Sequence, residues 1–292
     1  MSDGMIEGFS AQRLPGDGLE IDVLVGGSGP PLLLLHGFPQ TRLCWRDVAV
    51  EMASAFTVVV PDLRGYGRSD KPPGDPDHVM YSKRAMAKDQ VAVMSALGFE
   101  QFAVAGHDRG GRVAYRLALD SPGVVTRLAV LDILPTGDFW ASIDEVSSVV
   151  YWHWSFLAQP FDLPERLIGA DPGFFFSWMF EKSGGYKFPP DSLADYLECA
   201  RDPRSIHAMC EDYRSGWTTD RRIDRGEQTK ITVPTLALWG ERGLVALYDP
   251  LAKWGAWADQ LQGNPLPCGH FVPEEASDAV VSAFRSFFAA GT

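Results

Sequence analysis

Positive charge is in short supply in this chain. Its 292 residues hold 26 Lys and Arg against 38 Asp and Glu, a formal net charge of −12. That balance excludes a general nucleic-acid binder, which needs a basic face. An anionic small molecule would have to find positive charge concentrated locally, because the overall field repels it. Cysteine is scarce as well. Cys44, Cys199, Cys210 and Cys268 are scattered without metal-ligand spacing, so reduced, partly buried thiols are expected, not a disulfide framework or a metal site. Long apolar runs are missing, and PPLLLLHGF and FTVVVPDL are far too short to cross a bilayer. The opening stretch, MSDGMIEGFSAQRLPGDG, has no apolar segment of the secretory kind, and the expected location is the cytoplasm. A chain of this length buries enough surface to fold without staples.

Strand and helix signals alternate along the chain, the pattern of a parallel sheet covered on both faces. PLLLLHG, FTVVVPD, FAVAGHD, RLAVLDI and TVPTLALWG are short apolar runs ending in polar or glycine turns, as buried parallel strands do. Between them, Met86, Val91, Met94 and Leu97 recur at helical spacing from Lys83 to Leu97. The alternation fails from about Asp138 to Gln228. There, aromatic-rich, helix-like stretches such as YWHWSF and FFFSWMF predominate before TVPTLALWG resumes the sheet. The expected organisation is a core of residues 1–137 and 229–292 with a helical cap, 138–228, inserted over the carboxyl edge of the strands.

The chemistry is concentrated in FAVAGHDRGGRVAY, Phe102 to Tyr115. Gly106-His107-Asp108-Arg109-Gly110 lies between an apolar strand and a helical segment and has the form of a nucleophile elbow, G-x-Nu-x-G. The glycines permit the sharp turn that pushes the central side chain into a site. Asp also caps helices, but here it stands where esterases carry Ser. An acyl group on a carboxylate would be a labile anhydride, whereas attack on an sp³ carbon gives an ester that water can cleave.

Other segments supply the partners. His36-Gly37-Phe38-Pro39 follows the first strong strand, where such folds take an oxyanion-hole donor. The backbone N–H groups of Phe38 and Arg109 are the candidates, and His36 is expected to order the loop. His270, in CGHF, has the late position of the general base. Asp132, ending RLAVLD, is the preferred acid over Glu241 in LWGERG, and either would orient the histidine. The expected fold class is therefore an α/β-hydrolase fold: a mostly parallel sheet flanked by helices, with an inserted helical cap.

HGFPQT, DLRGYGRSD, AGHDRGGRVAYRLALDSP, YWHWSFLAQP, MCEDYR and CGHFVPEE are among the stretches that span the chain from about Leu32 to Glu275. In these the sequence resembles the fluoroacetate and haloacetate dehalogenases of the α/β-hydrolase superfamily. The resemblance implies Asp108 as nucleophile, His270 as base and Asp132 as acid. It implies Arg109 and Arg112 as the grip on a substrate carboxylate, and His153, Trp154 and Tyr213 as donors to the departing halide. Each type suits its role, since imidazole, indole N–H and phenol O–H can all point donors at an anion. The sequence departs from the family in GFFFSWMFEKSGGYKFPPDS, where Trp178 or Ser183 is the candidate for a pocket tryptophan position.

The expected reaction is hydrolysis of a small anionic 2-haloacid, with no cofactor, metal, nucleic-acid or membrane partner, in a chain expected to form a homodimer. An epoxide hydrolase is the alternative. It too uses an Asp nucleophile, with two cap tyrosines to be drawn from Tyr151, Tyr186, Tyr196 and Tyr213. An uncharged epoxide, however, does not require Arg109 and Arg112. A third possibility, an inactive α/β-hydrolase serving as a binding module, is disfavoured because no part of the machinery is missing.

Overall fold

Continuous apolar runs occupy the middle of the sheet in a computed structural model that describes residues 5–182, 185–227 and 229–289. The strands are β1 (Phe9–Pro15), β2 (Glu20–Gly27), β3 (Pro31–Leu35), β4 (Thr57–Pro61), β5 (Phe102–His107), β6 (Val125–Leu131), β7 (Thr235–Gly240) and β8 (Leu261–Leu266). Their order is β1-β2-β4-β3-β5-β6-β7-β8. From β4 across to β8 neighbouring strands are parallel, while β2 runs antiparallel to both β1 and β4.

Side chains alternate across a strand, and this divides each apolar run between two cores. Leu33 and Leu35 of β3 join Val59, Val104 and Val130 on one face. Leu32 and Leu34 join Val58, Val60, Ala105 and Leu131 on the other. Helix α1 (Arg46–Met52) covers the second face, α2 (Lys83–Ala96) and α3 (Asp108–Asp120) the first. Ser82 starts α2 by accepting the Ala85 N–H at 3.1 Å, which satisfies one of the orphan donors of the first turn.

After β6 the chain leaves the sheet. It runs through α4 (Thr136–Ala141), α5 (Glu145–Val150), α6 (Trp152–Leu157), α7 (Leu163–Ala170), α8 (Pro172–Lys182), α9 (Pro190–Ala200), α10 (Pro203–Ser215), a π-helical turn at Gly216–Asp220, and α11 (Arg221–Gly226). The first of these helices starts ahead of residue 138, and Gln228, the expected far boundary, lies outside the described residues. The chain then returns through β7, α12 (Pro250–Gly255), β8, α13 (Val272–Glu275) and α14 (Ser277–Ala289), which packs beside α1. Among the described residues no helix is long and apolar enough to cross a membrane.

Strands β1, β2 and β8 were not among the strands expected from apolar runs. Each lies at or near an edge of the sheet, and β1 and β8 are largely exposed. An edge strand needs no continuous apolar run and tolerates the Gly, Asn and Pro that β8 contains.

Leu33 is fully buried between β4 and β5. Leu33→Ala should lower stability by about 2–5 kcal/mol. In urea unfolding this appears as a lower midpoint with an unchanged slope.

Candidate active site

At the end of β5 the chain turns abruptly into α3, and Asp108 stands at the turn with φ +47°. That left-handed conformation is uncommon for a residue with a side chain, and the surrounding backbone enforces it. A Cβ on Gly106 would run into the backbone of Gly110, so strand and helix can approach this closely only through glycine. From the loop after β3, a Cβ on Gly37 would collide with the Asp108 side chain itself. The next residue, Phe38, donates its N–H to Asp108 Oδ1 at 2.8 Å.

Asp108 Oδ2 faces His270 Nε2 at 3.9 Å, and His270 Nδ1 is 2.6 Å from Asp132 Oδ2. Asp132 in turn accepts the Gly240 N–H on Oδ1 at 3.0 Å. A carboxylate on Nδ1 leaves Nε2 as the nitrogen facing Asp108. Glu241, the alternative acid, is exposed on the surface. His36, fully buried beside the loop, accepts the Leu63 N–H on Nε2 at 3.0 Å.

Burial opposes a charge on Asp108, but the neighbouring His270, Arg109 and Arg112 outweigh it and hold the carboxyl below its usual range. Burial likewise opposes charge on His270, and there Asp132 and Asp108 win, so its pKa is raised. At His153 burial outweighs the attraction of Asp108, and His270 and Arg109 add repulsion. The His153 pKa falls to about 3, which leaves a neutral ring with one N–H. Burial raises the Tyr213 phenol well above its ordinary value, so it keeps its proton.

These groups surround a cavity of about 460 Å³. The sheet side contributes Phe38, Asp108, Arg112, Asp132 and His270, and the helical segment contributes His153, Trp154, Trp178 and Tyr213. The three candidate halide donors lie together, with the His153 and Trp154 rings 5.9 and 5.6 Å from that of Tyr213. Ser183 lies outside the described residues.

The two arginines separate. Arg112 lines the cavity and donates Nη1 to Leu134 O and Thr136 Oγ1 at 3.0 and 3.1 Å. It makes no ion pair among the described residues, its Nε has no partner there, and burial beside Arg109 lowers its pKa. Arg109 is absent from the cavity lining. Its Nε and Nη2 grip Asp212 at 3.0 and 2.5 Å, and its guanidinium lies behind the Tyr213 ring, 4.3 Å from the centroid. Asp212 also binds the Lys83 ammonium and accepts from Tyr66 Oη at 2.8 Å. Sequence reasoning singled out MCEDYR but not this role for Asp212, because all three partners belong to segments distant along the chain.

The family of the alpha/beta hydrolase fold matches residues 30–277. Over 97% of its length the chain is 44% identical to a fluoroacetate dehalogenase from Burkholderia sp, of which it covers 95%. The chain belongs to the fluoroacetate and haloacetate dehalogenase family of the α/β-hydrolase superfamily. It is a hydrolase. It is also 34% identical to a soluble epoxide hydrolase from Corynebacterium sp. (strain C12), over 94% of this chain and 95% of that one. A solved structure described as an α/β hydrolase from Nostoc sp PCC 7120 superposes with a TM-score of 0.95 at 48% identity, covering 97% of this chain and 99% of that one.

Gly37→Ala tests the contact between the loop and Asp108. The added methyl displaces either the Asp108 carboxylate or the Phe38 N–H. Activity should fall by about 10²-fold or more, the scale of losing an oxyanion donor. A circular dichroism spectrum matching wild type would accompany that loss.

Proposed function

We propose that this hydrolase removes halide from small 2-haloacids in two steps, through an ester on Asp108. The observation that carries the reading is the buried Arg112 guanidinium, which faces the same cavity as Asp108 and lacks a carboxylate partner among the described residues. A buried cation without a counter-charge is costly, and a substrate carboxylate would supply one. Arg109 adds positive charge from behind the wall. Together they would overcome the repulsion of a chain carrying −12.

In the first step Asp108 Oδ2, the oxygen not held by Phe38, attacks the carbon bearing the halogen. The carbon–halogen bond breaks, and the halide leaves with the electron pair toward His153, Trp154 and Tyr213. In the second step water adds to the ester carbonyl while His270 Nε2 takes its proton. The negative oxygen forms on the atom that already accepts the Phe38 N–H. Collapse breaks the Cγ–Oδ2 bond, the His270 imidazolium returns its proton to the departing oxygen to give the hydroxy acid, and loss of one proton to solvent restores the Asp108 carboxylate. Asp132 stabilises the imidazolium in between.

His270 must be neutral to accept a proton, and its pKa is raised in the resting enzyme. Below that pKa the base is already protonated, so ester hydrolysis should fail as pH drops. The acid limb of single-turnover ester hydrolysis should appear in a pH series once alkylation is complete. With His270→Ala, chloroacetate should release one equivalent of halide and leave an adduct on Asp108 by intact mass. Stoichiometric halide without an adduct would contradict the two-step scheme.

A second reading, epoxide hydrolysis, has one observation in its favour: Tyr151 and Tyr213 both line the cavity. Charge separates the two. Chloroacetate should be turned over far better than chloroacetamide, and Arg112→Ala should erase most of that preference. Equal turnover of acid and amide by the wild type would favour the uncharged substrate.

The halide pocket should matter more for fluoride, which is small and strongly hydrated. Tyr213→Phe and His153→Asn should each reduce fluoroacetate turnover by at least about tenfold more than chloroacetate turnover, corresponding to about 1.4 kcal/mol per lost donor. Equal losses on the two substrates would assign these residues to packing alone.

A further inference from the structure

His270 sits in a loop between β8 and α13, and the backbone of that loop is held from two sides. On one side the Glu275 carboxylate accepts the N–H groups that flank the histidine, Gly269 N–H on Oε2 at 2.6 Å and Phe271 N–H on Oε1 at 3.0 Å. On the other, His107 Nε2 lies 2.7 Å from the His270 carbonyl oxygen. Burial holds the His107 pKa down to about 3, so its ring is neutral and this contact is an N–H donation. Glu275 is itself almost wholly buried, with 5% of its side chain exposed. Residue 269 must be small for the bracket to close, since a Cβ there would lie 2.9 Å from Glu275 Oε1.

We infer that Glu275 is a positioning residue for the base, whose carboxylate both fixes the His270 backbone and supplies negative charge during ester hydrolysis. The charge matters most in the ester. Alkylation of Asp108 removes the charge of one carboxylate near His270 and leaves those of Asp132, on Nδ1, and Glu275, on the backbone of the loop. Other ionisable groups around the base include the neutral His107 and His153 rings, the buried Cys268 thiol two residues away, Arg112 and Tyr151 in the same cavity lining and, beyond Glu275, the Arg242 guanidinium 3.7 Å from its carboxylate. Glu275 thus adds to Asp132 in stabilising the imidazolium that forms when water gives up its proton. Alkylation, by contrast, uses only Asp108 and the anion and halide contacts. Loss of Glu275 should therefore slow the second step and spare the first.

This inference rests on the two-step reading, so the test includes His270→Ala beside the new variants. Glu275→Gln removes the charge and keeps one oxygen acceptor. Gly269→Ala keeps Glu275 and forces its carboxylate away from the loop, which guards against a result that reflects failed folding of one protein alone. With chloroacetate, both variants should lose about tenfold or more in kcat, the scale of displacing a catalytic group by a fraction of an ångström. Both should lose less in kcat/KM, and both should accumulate the Asp108 ester by intact mass in the steady state. In single-turnover ester hydrolysis, Glu275→Gln should also move the acid limb to lower pH, because a negative neighbour of His270 is gone.

A wild-type limb position in Glu275→Gln, or equal falls in kcat and kcat/KM without ester, overturns the assignment. If His270→Ala traps ester while Glu275→Gln behaves as wild type, only this inference fails. If His270→Ala traps none, the two-step reading fails.

Discussion

Everything in the site is measured from the turn at Asp108. The strand before it and the helix after it approach so closely that only glycine fits at Gly106, and the neighbouring loop presses on the same side chain through Gly37. The carboxylate at this crossing point is fixed by covalent geometry and backbone packing, without a cradle of flexible side chains. In the reaction proposed above, this carboxylate displaces halide from carbon, which requires short range and an in-line approach. The sheet supplies that precision, since β3 and β5 are adjacent parallel strands and their carboxyl ends deliver Phe38 and Asp108 side by side.

Around that fixed point the protein arranges charges it cannot leave in water. Arg109 and Lys83 are buried against Asp212, with Asp220 also beside Lys83, whereas buried Arg112 faces the cavity that holds Asp108 and makes no ion pair among the described residues. Arg112 is thus a buried cation open to an anion inside a chain that is strongly acidic overall. A buried cation without a counter-charge is costly and an anion relieves that cost, so under the proposed reaction the choice of substrate is tied to the energetics of the protein itself.

Much of this was legible in the sequence because it depends on short-range pattern. The elbow glycines, the apolar runs of β3 through β7, and the position of Asp132 at the end of β6 can all be read locally. His270 followed from chain order. What could not be read depends on approach between segments far apart. The direction taken by the Arg109 guanidinium follows from Asp212, on a helix of the inserted segment. Glu275 appears in sequence as one of two adjacent acids, and only the folded loop shows that its oxygens reach the backbone on either side of His270. Strand β8 escaped notice because an edge position relaxes the composition rule that marks its neighbours.

Asp212 and Tyr213 are consecutive residues of α10, and they point to different tasks. The first reaches down to Arg109, Lys83 and Tyr66 of the sheet side, and the second lines the cavity. One turn of helix thus serves as both hinge pin and working surface. A rigid displacement of α10 from the sheet would withdraw a wall of the chamber and release Arg109 in the same movement. A single peptide bond therefore joins the seat of one buried arginine to a wall of the chamber.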